Sequence, residues 1–124
     1  MSDLDMTTRL RQRLLILPGV VTRRMFGAEA YFVGPSMFAF FTSTAVVLRL
    51  PHSAFVEAVA AGLARPFLSL GAAQLNGWAE LPYANRLYRD LEPILLAAHT
   101  SGTHAARVAA RRKRPQRARR VRRV

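Results

Sequence analysis

The residues with the greatest capacity for chemistry crowd the C-terminal end of the chain. Arg107, Arg111, Arg112, Lys113, Arg114, Arg117, Arg119, Arg120, Arg122 and Arg123 place ten cations within seventeen residues, and no acidic residue interrupts them. The planar guanidinium fork suits bidentate contact with phosphate oxygens. Each neutralised phosphate releases counterions, so nucleic-acid binding through such a segment is independent of sequence and weakens steeply with salt. No helix-turn-helix pattern or other element for reading base edges accompanies the cations. The same charge also suits an acidic protein, an anionic membrane surface or a solubilising brush, and an incidental tail is the plain alternative. Free in solution the segment is expected to be disordered. Pro115 argues against one continuous helix, although residues 104–114 can turn helical once a polyanion screens their repulsion.

Other chemistry is sparse. His52, His99 and His104 show no i, i+4 pair of the kind zinc enzymes use, and there is no cysteine to complete a thiolate site, so no metal is expected. The lack of cysteine also excludes disulfides and thiolate catalysis. No Gly-x-Ser-x-Gly elbow occurs, and Gly27, Gly34, Gly71 and Gly77 form no phosphate-cradling pattern, so neither enzymatic activity nor a cofactor is expected. The candidate acids are Glu29, Glu80, Asp90 and Glu92. Glu29 and Glu80 sit in strand-like segments where they can face one another, or pair with Arg24 and Arg49 on neighbouring strands. Tyr31, Phe32, Phe38, Phe40 and Phe41 hold the makings of a stacking platform for single strands. No basic residue interleaves with Met37–Phe41, however, and core packing is the better reading. Both faces of that segment are apolar, so one of them can cover a partner, most simply a second copy of the chain.

The elements that must position these residues follow from periodicity. The chain has 124 residues, one domain's worth, and carries a net charge of +12. Residues 1–104 hold 9 basic and 7 acidic side chains, so almost all of the excess lies in the last twenty residues. Although 51% of residues are hydrophobic, no apolar run approaches the roughly 18 residues of a membrane span, and no signal-peptide core is present. A cytoplasmic location is expected. Residues 4–17 read as a helix, with Leu4, Leu10, Leu14 and Leu17 on one face and Ser2 or Asp3 as cap. Val20–Met25, Ala28–Val33, Met37–Thr42 and Ala45–Leu50 read as four strands. In the second of them, Glu29, Tyr31 and Val33 fall on one side and Ala30 and Phe32 on the other. Their short links require antiparallel pairing. Residues 53–63 read as a helix capped by Ser53, stopped at Gly62 and buried through Phe55, Val59 and Leu63. An extended piece, Ala64–Phe67, precedes a Gly71–Gly77 loop and a short strand, Trp78–Leu81, closed by Pro82. Residues 84–98 read as a last helix; Pro93 fits best in the first turn of a helix starting at Asp90. Ser101-Gly102-Thr103 reads as its end. The expected fold is α+β, an antiparallel meander packed with three helices over residues 1–102, followed by a basic tail over 103–124.

The segment Arg24-Met25-Phe26-Gly27, followed by Tyr31-Phe32-Val33 and Ser36-Met37-Phe38-Ala39, resembles the N-terminal domain of the TfoX/Sxy family of bacterial competence regulators. The resemblance continues through Val47-Leu48-Arg49-Leu50-Pro51, Ala64-Arg65-Pro66-Phe67 and Trp78-Ala79-Glu80-Leu81-Pro82, in order, over residues 23–99. It implies a non-enzymatic regulatory or adaptor domain in transcription or competence. It also marks Met25, Phe26, Gly27, Phe38, Pro66, Phe67, Trp78, Glu80 and Pro82 as structural or interaction positions. The rival expectation is a protein-interaction or self-association module whose tail is incidental.

Overall fold

A computed structural model describes residues 2–25, 27–68 and 74–122, with the backbone alone for 74–76 and 113–122. Helix α1 spans Asp3–Leu15. The Ser2 hydroxyl accepts from the Asp5 N–H at 3.1 Å, and the Asp5 carboxylate accepts from the Ser2 N–H, so two orphan donors are satisfied reciprocally. Met6, Leu10 and Leu14, one turn apart, are buried. Leu4, expected on that face, is 74% exposed. It lies two residues from Met6, which puts it on the far side of the helix.

Strands β1 (Val20–Met25), β2 (Ala28–Val33), β3 (Ser36–Phe41) and β4 (Ala45–Arg49) form the anticipated meander. Helix α2 spans His52–Ala60 and follows Pro51 without a side-chain cap, so Ser53 does not cap it. It buries Ala58, helped by Ala54 and Phe55, while Val59 stays exposed. The expected stripe holds at Phe55 and fails at Val59, because the inward side of the helix runs through Ala54, Phe55 and Ala58, about a quarter turn from Val59, and Leu63 lies beyond the helix end at Ala60. The extended piece is a true edge strand, β5 (Arg65–Leu68). Strand β6 (Gln74–Pro82) starts earlier than expected, so residues 74–77, read as loop, belong to it; 71–73 lie outside the described residues. Gly77 makes this strand feasible. Its φ of +80° is strained for any L side chain, and its carbonyl accepts from the Leu50 N–H at 2.7 Å.

The six strands form one antiparallel sheet in the order β1-β2-β3-β4-β6-β5. Strand alternation divides it into two faces. Tyr31, Val33, Ala39, Val46, Leu48 and Leu81 join Met6, Leu10, Leu14, Ala58, Leu91 and Leu95 in one apolar core, so all three helices cover the same face. A bulge in β3 sets two of its residues against one step of β2, between the pairs Tyr31↔Ala39 and Phe32↔Met37. It turns Phe38 toward the helices, where it is fully buried. The fold is α+β.

Helix α3 spans Tyr88–Arg122. The Asp90 carboxylate accepts from the Leu87 N–H at 2.8 Å and fixes its start two residues ahead of the expected one, so Pro93 falls in the second turn. The helix does not stop at Ser101-Gly102-Thr103 but passes through it. Gly102 is a contact residue rather than a terminator: a Cβ there would lie 3.1 Å from Phe38 Cβ. Pro115, read as a break, also lies within the span of α3.

Candidate nucleic-acid interface

The basic segment grows out of the core. Leu91, Leu95, Ala98 and Gly102 hold α3 on the sheet, and Ala106 continues that stripe beside Gly34, whose added Cβ would sit 3.5 Å from it. On the outer side His104, Arg107, Arg111 and Arg112 are exposed. Among the described residues none of these arginines joins an ion pair. Up to Ala109 the sequence keeps an apolar stripe at helical spacing. Further on, the same spacing reaches Lys113, Arg117 and Arg120, so the apolar stripe ends in the sequence. The side chains of Lys113, Arg114, Arg117, Arg119, Arg120 and Arg122, and all of Arg123, lie outside the described residues. Asp90 and Glu92 stand at the N-terminal end of α3 and the cations at the other, the arrangement the helix dipole favours. A recess of about 120 Å3 lies alongside, lined by Ser36, Phe38, Arg49, Ser101, Gly102 and His104, and brings Arg49 to the same side of the molecule.

The acids take other partners than expected. Glu29 accepts from the buried Tyr31 hydroxyl at 2.9 Å and from Arg11 Nε of α1 at 3.2 Å. Desolvation, reinforced by Glu29, raises the Tyr31 phenol well above its ordinary value, and the hydrogen bond to Glu29 raises Arg11. Glu80 pairs with Arg65 at 2.7 Å on the opposite face of the sheet. Glu29 and Glu80 therefore do not face one another, and neither pairs with Arg24 or Arg49. The two larger recesses, about 320 Å3 between α1 and α3 and about 190 Å3 near Gly62, are not lined by Glu29, Glu80 or Trp78.

The positions marked by the family resemblance divide into three groups. Met25 and Gly27 flank the β1–β2 turn, whose Phe26 lies outside the described residues. Phe38 sits in the helix-side core, 5.7 Å from the His99 ring. Pro66 and Pro82 lie on β5 and β6, where Phe67, Trp78 and Glu80 share the helix-free face with Phe40. Phe40 is therefore not part of the helix-side core. Sequence reading missed Arg23, whose guanidinium lies 5.1 Å from the Phe32 ring centroid, and Arg65 as neighbours of these aromatics. Arg23 comes from a different strand than Phe32, so interleaving along the chain could not reveal it, whereas Arg65 stands two residues before Phe67 on β5, where strand alternation was the available signal.

Compared with family models, curated proteins and solved structures, the chain matches none. Among the described residues no helix is long and apolar enough to cross a membrane.

Proposed function

We propose that the chain is a TfoX N-terminal-like, non-enzymatic regulatory or adaptor domain of the cytoplasm that holds nucleic acid without sequence preference through the arginines of α3. One observation carries this reading: a helix rooted in the core by Leu91, Leu95, Gly102 and Ala106 presents exposed Arg107, Arg111 and Arg112 on its outer side. A fixed root limits where bound nucleic acid can lie relative to the rest of the protein. It also raises the effective concentration of any second contact on the same molecule. Specificity then falls to a partner of the α+β body or to a further contact.

The test is fluorescence anisotropy with a labelled duplex of arbitrary sequence across a salt series. The full chain should bind, with log K falling linearly against log salt. In the triple variant Arg107→Gln/Arg111→Gln/Arg112→Gln the slope should drop by about 0.9 for each of the three that touches a phosphate. An unchanged slope and affinity would remove these residues from the interface, and no binding at low salt would end the nucleic-acid reading.

A further inference from the structure

The face of the sheet that no helix covers gathers aromatic rings from three strands. Register places Ala30, Phe40, Val47, Glu80 and Arg65 on one rung across five strands of that face. Phe40 on β3 and Phe67 on β5 are separated by β4 and β6, about 14 Å in a flat sheet at roughly 4.8 Å per strand. Their ring centroids are 5.4 Å apart. The sheet must therefore curl until the two rings lean together across Val47, which is fully buried without a helix above it. Trp78 tilts against the same Phe40 ring at 5.6 Å. All three rings remain half-buried, so part of each is open to solvent. Arg23 over Phe32 marks one end of this aromatic trough and Arg65, with a side chain 66% exposed, marks the other. Among the described residues of the face the one acid, Glu80, is already matched by Arg65.

Resting on the nucleic-acid reading above and deepening it, we propose that this trough takes a single-stranded segment. Its bases stack on Phe40, Phe67 and Trp78, and its phosphates meet Arg23 and Arg65. Aromatic platforms with cationic margins bind single strands with little sequence preference, because every base offers a π-face. A duplex hides those faces and has only its phosphates to give, which the arginines of α3 already serve. A second copy of the chain fits the trough less well: two-fold pairing of this face would bring Arg23 and Arg65 toward their own copies, with only an already paired Glu80 to answer them.

Trp78 is the only tryptophan in the chain, so it reports on its own face. The full-length protein is titrated with a twelve-nucleotide oligothymidylate and with a twelve-base-pair duplex. Tryptophan emission and the anisotropy of a labelled strand are read together. The single strand is expected to quench Trp78, and the duplex to bind without quenching. Arg23→Gln and Phe67→Leu should each weaken the single strand, by about tenfold for the lost stacking ring, and leave duplex affinity unchanged. The triple α3 variant should weaken both ligands yet keep the full quench at saturation. If the single strand saturates the anisotropy while Trp78 emission stays constant, the trough is not the site, although the α3 reading survives. If neither oligonucleotide binds, both readings fall. A dimer in sedimentation that Phe67→Arg dissolves would give the face to a second copy and overturn the proposal.

Discussion

Two tyrosine–glutamate–arginine clusters tie α1 to the rest of the molecule. Arg11 and Arg13 lie two residues apart on the helix and so point to roughly opposite sides. One reaches Glu29 on β2, where Tyr31 donates to the same carboxylate. The other reaches Glu92 on α3 at 3.0 Å, where the Tyr88 hydroxyl donates at 2.8 Å and Arg9 lies 4.1 Å over the Tyr88 ring. The hydrogen bond from Tyr88, with Arg13 beside it, holds the Glu92 carboxyl below its ordinary value of 4.5. A depressed folded-state value stabilises the protein above the ordinary carboxylate range and loses that stabilisation as pH falls through the folded-state value. These groups are solvent-accessible, so the effect is small. Glu92→Gln should lower the melting temperature slightly at pH 7, and the difference between the two proteins should shrink as pH is taken below the ordinary carboxylate range, as calorimetry across pH would show.

At the scale of elements, the decisive contact is α3 on β3. The bulge turns Phe38 inward, and Gly102 lets the helix backbone come down onto its ring. Neither feature works without the other: a larger residue at 102 meets a ring that is already fully buried and has nowhere to move. Gly102→Val should destabilise the fold by about 2 kcal/mol through overpacking, read from chemical denaturation, despite the better helix propensity of valine. A second consequence is directional. Because the helix cannot turn away at residue 102, it carries the arginines outward along its own axis.

For the whole molecule, charge is sorted by position. The seven acids lie in the first 92 residues, where Glu29, Glu80 and Glu92 pair with arginines of the body, whereas the cations at the C-terminal end of α3 meet no acid among the described residues. Because α3 is rooted through Ala106, the body and the basic segment share a stretch of helix. A chain ending after Gly102 should lose the Ala106 contact and melt roughly 5 °C or more below a chain ending after Ala110, which should match the full-length protein. Equal melting temperatures for the two shortened chains would show that residues 103–110 contribute nothing to the fold. The shorter chain also removes core contacts, so the longer one is the better form for testing the proposed nucleic-acid contact of the arginines apart from stability.

Local rules made much of this protein readable from its residues. Alternation sorted Glu29, Tyr31 and Val33 from Ala30 and Phe32, and the short links at 26–27 and 34–35 enforced an antiparallel meander. These features depend on neighbours within a few positions, where side-chain period and turn chemistry act directly. The basic run was equally plain, since composition alone defines it. What tertiary structure decided was which residues meet. Glu29 found Arg11 and Tyr31, Glu80 found Arg65 on the other face, and Gly102 became a packing surface rather than a helix stop. Phe40, Phe67 and Trp78 converged because the sheet curls. Such pairings depend on strand order, bulges and curvature summed over the whole fold, and no local period encodes them.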